Sequence, residues 1–411
     1  MGRLGLAEGP GRTVAAGAAR KGADPLKVLI AIGVSRQKEA GAARVALSNA
    51  SELAKRGHTV ECWFLEDVLD RPAGPNRFEG LFFAMALARR ILRERRKYDV
   101  VNLHAPWGCV YGLWRHLFHS AGAPPYVMTM QGSEERYVEA MRREQSKGRA
   151  WHFGWKNRIW HRIYHQTMYN LSISGADYGT VANCESLVLT KINRCRNKRR
   201  FSYVPNGTEE RFFLVREYPE KSSLRLLYVG TWIDRKGIYY LVDAFEFLTQ
   251  KLQGIELTVA GCLSSEESVK AFFTPEVQAR VRVFPFIERS EMPKLYAAHD
   301  IFVFPSLMEG MPLTLLEAMA AGMPVATTNT CGMADVVENE INGLLVPPAD
   351  GEAMARAIER LCNSAELRKQ LGQSAQETMR RYTWEKVTGK LESVLLLAAR
   401  EAQGAGAGSA P

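Results

Sequence analysis

"DIFVFPSLMEGMPLTLLEAMAAGMPVATTNT", residues 300–330, sets two short apolar runs on either side of a helical one. "DIFVFPS" is too short for a helix and is closed by turn formers, so it reads as a buried parallel strand. In "PLTLLEAMAAG", Pro312 suits a first helical turn, where a missing N–H costs nothing, and Gly322 suits the residue that closes the helix. "MPVATTNT" is the next strand. Strand, helix and strand at this spacing form a crossover unit of a parallel sheet. Two carboxylates interrupt the pattern. Glu309 stands just ahead of the helix, and Glu317 lies inside it among Leu315, Leu316, Ala318 and Met319. A buried carboxylate without a partner is costly, so Glu317 needs one. The vicinal hydroxyls of a ribose would satisfy both of its oxygens, and Glu309 suits neutral hydroxyls better than a phosphate.

Working back toward the N-terminus, the same alternation recurs. "LRLLYVG" reads as a strand, "GIYYLVDAFEFLTQKL" as a helix, and "IELTVAG" and "VRVFPF" as strands, with "EMPKLYAAH" as the helix before the opening stretch. The charged, non-periodic "TEERFFLVREYPEKSS" ahead of them reads as a linker. In front of that linker, "LKVLIAIG", "HTVECWFL", "YDVVNLHA", "PPYVMTMQG", "YGTVANCES" and "FSYVPNG" give a second series of strands, with helices at "GAARVALSNASELAKRG" and at residues 81–97. The fold class is therefore α/β: two Rossmann-like doubly wound domains whose strand ends can face one cleft, since ligands of such sheets bind beyond the carboxyl ends of the strands.

A chain of 411 residues is long for one core, which agrees with two domains. No apolar run reaches membrane-span length. Residues 1–24, rich in Gly, Ala and Arg, read as a disordered leader without the apolar block of a signal peptide, and "GAGAGSAP" reads as a loose tail. The seven cysteines have no zinc or redox spacing, as expected for reduced thiols in a cytoplasm. The net charge of +10 is uneven: residues 1–210 hold 33 Lys/Arg against 19 Asp/Glu, and the remainder 21 against 25. A basic front half suits an anionic partner such as a membrane surface, and equally suits a solvated surface.

No Gly-x-Gly-x-x-Gly follows either first strand and there is no Walker A sequence, which argues against a dinucleotide or P-loop site. In "VGTWIDRKG", Arg235 and Lys236 follow a strand ending at Gly230; two cations there suit a diphosphate, and alone they suit a charged turn equally. His161 and His165 lie one helical turn apart, but no third zinc ligand accompanies them, and aromatic packing or the acceptor side suits them better. The helix at 81–97 sets Leu81, Met85, Ile91 and Leu92 beside six basic residues; it reads as packed on the sheet, with contact to anionic lipid as a second use.

Taken together, "EGMPLTLLEAMAAGMPV", "VGTWIDRKG", "YVPNGTEERFF", "YDVVNLHAPWG", "AARVALSNASELAKRGHTV" and "YTWEKVTGKLESVLLL" resemble the motif set of the retaining glycosyltransferases of the family 4 / glycosyl transferases group 1 clan. The resemblance covers residues 26–397 and implies the GT-B fold with a C-terminal helix crossing back to the first domain. It implies roles as well. Arg235 and Lys236 would stabilise the leaving nucleoside diphosphate, with Gly230 and Thr231 beside them. Glu317 would hold the ribose, and Glu309 the hydroxyls of the transferred sugar. The backbone at Gly310, Met311, Pro312, Leu313 and Thr314 would contact sugar and phosphate, and Phe286 and Ile287 would flank the base. Gly41 would let backbone approach the donor phosphates. Gln131, in "TMQGSEE", stands where the clan has His; an amide can position a sugar by hydrogen bonding but cannot carry a proton. No Asp-x-Asp is present, in keeping with a donor site that needs no metal and no cofactor beyond the UDP- or GDP-linked substrate.

The expected organisation is a leader (1–24), an acceptor-binding domain (25–208), a linker (209–223), a nucleotide-sugar domain (224–383), a crossover helix (384–400) and a tail (401–411). The expected function is a metal-independent, hexosyltransferase-like retaining glycosyltransferase of cell-surface polysaccharide or glycolipid assembly. Its acceptor would be a glycan or lipid-linked, and its place cytoplasmic or peripheral on the inner membrane face. The alternative is a nucleotide-sugar-binding or scaffold protein whose site is degenerate at Gln131. A nucleic-acid binder ranks last, since no such module is recognisable.

Overall fold

Short Val-, Ile- and Leu-rich runs buried on both faces are what a central parallel strand requires, and they build two sheets here. The computed structural model describes residues 12–14, 24–36, 41–69, 78–118, 122–132, 134–149, 154–193 and 200–407. The first sheet contains β1 (Arg12–Val14), β2 (Lys27–Ala31), β3 (Thr59–Trp63), β4 (Val100–His104), β5 (Tyr126–Met130), β6 (Tyr178–Val181) and β7 (Phe201–Tyr203) in the order β1-β3-β2-β4-β5-β6-β7. All of its pairings are parallel except β1 with β3. Arg12–Val14 falls within the stretch read as leader; the rest of residues 1–23 lies outside the described residues. The second sheet, parallel throughout, contains β8 (Leu224–Val229), β9 (Ile255–Ala260), β10 (Val281–Phe284), β11 (Ile301–Phe304), β12 (Val325–Thr328) and β13 (Leu344–Val346) in the order β10-β9-β8-β11-β12-β13.

The chain divides into two units, and neither is one continuous segment. One comprises residues Met1–Glu134, Lys156–Asn206 and Trp384–Pro411; the other comprises Glu135–Trp155 and Gly207–Thr383. Residues 135–155, which the sequence reading assigns to the first domain, therefore pack with the second unit. There Met141 is buried with Tyr240 and Leu307, and the Tyr240 hydroxyl donates to the buried Glu144 carboxylate. The stretch at 209–223, read as a linker, is likewise fixed to the second unit. Phe212 is fully buried there, and Arg216 donates to the carbonyls of Ala321 (3.0 Å) and His299 (2.7 Å).

The helix Trp384–Ala407 continues beyond residue 400, the end expected for it, and belongs to the first unit. Leu391, Val394, Leu395, Ala398 and Ala399 join the core made by β2, β3 and the helix Gly41–Lys55. Glu392 pairs with Arg56 (2.8 Å) and meets His58 Nε2 (2.9 Å), and Thr388 donates to Asn49 (2.9 Å). On the other face of that sheet, the helix Glu79–Arg93 buries Phe83, Leu87 and Ile91. Of the apolar residues expected to pack, Ile91 is buried, Leu81 and Leu92 are half-buried, and Met85 faces solvent. Among the described residues no helix is long and apolar enough to cross a membrane.

Candidate functional site

In the second sheet β8 and β11 are neighbours; β9 lies on the far side of β8 and β12 on the far side of β11. Strand order reverses between β8 and β11, and such a switch point opens a crevice beyond the strand carboxyl ends. The two loops that leave those ends are the ones singled out in the sequence. After β8 the chain passes Gly230 and Thr231, makes the 3₁₀ turn Asp234–Lys236, and enters the helix Ile238–Lys251 through Gly237. Gly237 has φ +70°, and a Cβ there would lie 1.9 Å from the Pro305 carbonyl oxygen. Only glycine fits, so the β8 loop can lie directly against the β11 loop. The Leu307 amide donates to the Arg235 carbonyl (2.9 Å), closing the pair.

This contact brings Arg235 and Lys236 to Glu309. Arg235 Nη1 reaches Glu309 Oε1 at 2.6 Å, Lys236 Nζ reaches the same oxygen at 2.7 Å, and the Ser306 hydroxyl donates to it at 2.8 Å. All three donors converge on Oε1; among the described residues none reaches Oε2, which keeps its acceptor capacity. Burial opposes ionisation of Glu309, but the charges of Arg235 and Lys236 and the Lys236 and Ser306 hydrogen bonds outweigh it, holding its pKa down at about 2. Burial also pulls the Lys236 pKa below its ordinary value, against the opposing pull of Glu309. The cluster carries two positive charges and one negative, so one positive charge remains for an incoming anion.

The helix after the β11 loop spans Leu313–Ala320. Pro312 is its N-cap with extended backbone (ψ 118°), so it precedes the first turn instead of occupying it. Gly322, at φ +68°, closes the helix, with hydrogen bonds from Gly322 to Met319 (3.0 Å) and from Met323 to Ala318 (3.0 Å). The Met311, Pro312 and Leu313 side chains are buried, and Gly310 and Thr314 are half-buried. What this stretch can offer a ligand is backbone at a helix start, where anions are favoured.

Glu317 is buried as expected, and the protein itself supplies partners. Arg289 Nη1 reaches Oε1 at 3.1 Å, and the Tyr296 hydroxyl donates to Oε2 at 3.0 Å. Arg289 also pairs with Glu209. These bonds fix the orientation of the Glu317 carboxylate. Arg289, Tyr296, Ser306 and Glu209 are absent from the sequence reading. Arg289 and Tyr296 sit 28 and 21 positions before Glu317, and no local spacing marks them. Phe286 is exposed and Ile287 half-buried on the loop after β10.

Gln131 and Gly41 belong to the first unit. Gln131 follows β5, and its amide oxygen accepts from Asn206 Nδ2 at 3.2 Å. Gly41 opens its helix with no atom within 4 Å of a would-be Cβ; the four residues before it lie outside the described residues. Gly33 is small for packing reasons, since a Cβ there would stand 2.8 Å from the Trp107 ring. His161 and His165 stack on each other with ring centroids 4.4 Å apart.

Two sheets, parallel but for β1, with a polar cluster at the switch point of the second, define a two-unit α/β architecture, and solved structures identify its type. Sucrose-phosphate synthase from Thermosynechococcus elongatus superposes with a TM-score of 0.73 at 19% identity, covering 92% of this chain and 100% of that one. Anabaena HepE in complex with UDP and glucose superposes with a TM-score of 0.64 at 16% identity, covering 90% of this chain and 99% of that one. The fold is therefore GT-B. Within that class the chain belongs to the group 1 / family 4 glycosyltransferases: residues 212–378 match Glycosyl transferases group 1 and residues 40–211 match Glycosyltransferase Family 4. The capsular polysaccharide biosynthesis glycosyltransferase CapM of Staphylococcus aureus is 30% identical over 208 residues, which are 48% of this chain and 55% of CapM. The chain spans about half the length of the curated relatives it matches.

Proposed function

We propose that the protein is a retaining glycosyltransferase that moves a sugar from a UDP- or GDP-linked donor to a glycan or lipid-linked acceptor, in the assembly of cell-surface polysaccharide or glycolipid. The observation that carries this reading is the meeting of Arg235, Lys236 and Ser306 on a single oxygen of Glu309 at the switch point of the second sheet. Membership of the family and the likeness to CapM support the polysaccharide part of it.

The chemistry follows from charge. Breaking the anomeric bond leaves an oxocarbenium-like sugar and a diphosphate that gains negative charge. Fixed cations and helix N–H groups stabilise that charge without reorganising, which lowers the barrier more than water does. Arg235 and Lys236 would take the diphosphate, Glu309 Oε2 a sugar hydroxyl, and Glu317 the ribose. Same-face attack needs no protein nucleophile, because the leaving phosphate oxygen can accept the acceptor's proton. In this reading the paired cations do the work that a metal ion does elsewhere, and none is required.

The test is turnover of a panel of UDP- and GDP-sugars by the whole chain, with and without chelator, following the anomeric configuration of the product. Retained configuration, chelator-insensitive turnover and loss of about a hundredfold in rate on Lys236→Ala are expected. An inverted product, or a Lys236→Ala variant as fast as the parent, would sink the reading. Gln131 favours a second reading, a nucleotide-sugar-binding protein that does not turn over. That reading requires binding without reaction in the parent and reaction in Gln131→His.

A further inference from the structure

The buried stripe of the helix Glu79–Arg93 is Phe83, Leu87 and Ile91, which leaves a second apolar stripe on its outer face. Phe78, Phe82 and Met85 follow one another at helical spacing on that side. Beside them runs the helix that starts at Trp155, becomes π-helical over His161–His165 and continues as Gln166–Gly175. It turns Ile159 and Ile163, one turn apart, to solvent. These five side chains are each between 46% and 68% exposed. The two helices meet edge to face: Phe78 lies 5.0 Å from the Trp160 ring and 6.1 Å from the Tyr164 ring, and the Leu81 amide donates to the Tyr164 hydroxyl at 2.8 Å. The outward stripes therefore form one patch within the first unit. Bulky apolar side chains grouped at the surface in this way mark an interaction face.

The charge on this patch selects its partner. Arg89 continues the Phe82–Met85 stripe, and Arg158 and Arg162 flank Ile159 and Ile163. All three are exposed, and none forms an ion pair among the described residues. Arginines whose charge is uncompensated next to exposed aromatic and aliphatic groups match an anionic bilayer, where the apolar groups enter the headgroup boundary and the guanidinium groups meet phosphates. We propose that this face, built from the outer sides of Glu79–Arg93 and of the helix carrying Ile159 and Ile163, docks the protein on an anionic membrane surface. A transferase that docks there would work beside a lipid-linked acceptor. That consequence rests on the function proposed above; the docking itself does not.

Co-sedimentation of the full chain with vesicles tests it, comparing phosphatidylcholine alone with an equal mixture of phosphatidylcholine and phosphatidylglycerol. The chain is expected to pellet with the mixed vesicles, to stay in solution with the neutral ones, and to be released by added salt. Phe82→Ser with Ile163→Ser, and separately Arg158→Gln with Arg162→Gln, should each weaken mixed-vesicle binding by about tenfold or more. Both should keep the parent's thermal midpoint and its donor turnover in vesicle-free buffer. Absence of pelleting with mixed vesicles overturns the proposal, as does parent-like binding by both variants. So does a stable dimer in solution that Ile163→Ser dissolves, since that would assign the face to a second copy of the chain. Vesicle binding needs no turnover, so its failure leaves the transferase reading standing, and an inactive but vesicle-bound chain leaves this proposal standing.

Discussion

Glu309 is held by two cations and a hydroxyl on one oxygen, and that asymmetry has consequences for both stability and reactivity. Its carboxyl pKa is lowered from 4.5 to about 2 in the fold. A depressed pKa means that the ionised group stabilises the folded state above its unfolded value, and that this contribution fades as pH falls from about 4.5 toward 2. The shift corresponds to about 3 kcal/mol. Glu309→Gln keeps the shape and removes the charge. Denaturant titrations of parent and variant across that acid range should show the parent losing stability faster than the variant; parallel losses would contradict the ion-pair account. In the same variant Arg235 and Lys236 lose their competing carboxylate, so a bare nucleoside diphosphate should bind more tightly while transfer is lost. The acids and cations of the site were legible because each lies in a local pattern, a charge after a strand-ending glycine or a carboxylate in an apolar helix. Arg289 and Tyr296 were not legible, since they meet Glu317 only through the order of the strands. The sequence also left Glu309 facing a ligand alone, whereas the chain brings Arg235 and Lys236 to it from 74 and 73 residues away.

At the level of elements, the β8 and β11 loops can touch only because Gly237 has no side chain and takes φ +70°. Gly237→Ala should cost about 1–3 kcal/mol from backbone strain, with the clash against Pro305 added. It should also weaken nucleotide binding by displacing Arg235 and Lys236. Gly41→Ala is the contrast: with open space around the position, stability should be unchanged, so any loss of turnover would report contact with the donor. Unfolding curves and turnover of the two variants check both statements, and equal stability of Gly237→Ala and parent would contradict the loop account. The strands were legible because parallel strands buried on both faces appear as uninterrupted apolar runs. β13, at three residues, is too short to stand out, and the helix Glu134–Ser146 is polar on most of its surface, so nothing local showed which unit would take it. In the helix Glu79–Arg93, Ile91 packs as its sequence suggests, but Phe82 with Met85 and Phe83 with Leu87 offer two apolar stripes, and only the sheet beneath decides which is buried.

The chain as a whole passes from the first unit to the second at Glu135, returns at Lys156, leaves again at Gly207 and comes back at Trp384. A fragment cut at the apparent linker would therefore strip Met141 from the second core and Leu391 and Leu395 from the first. Measurements on this protein belong on the intact chain. Charge is divided along it as well, with the basic excess in residues 1–210, while the candidate donor site draws its cations from the nearly balanced remainder. Donor binding should accordingly depend on Arg235 and Lys236 individually and little on the general surface charge. The most direct test is calorimetric titration of the intact chain with UDP, GDP and ADP, alongside Lys236→Ala. The account predicts that at least one of the three binds and that Lys236→Ala weakens that binding by about a hundredfold. Binding of equal strength in the variant, or no binding of any of the three up to about millimolar concentration, would contradict it.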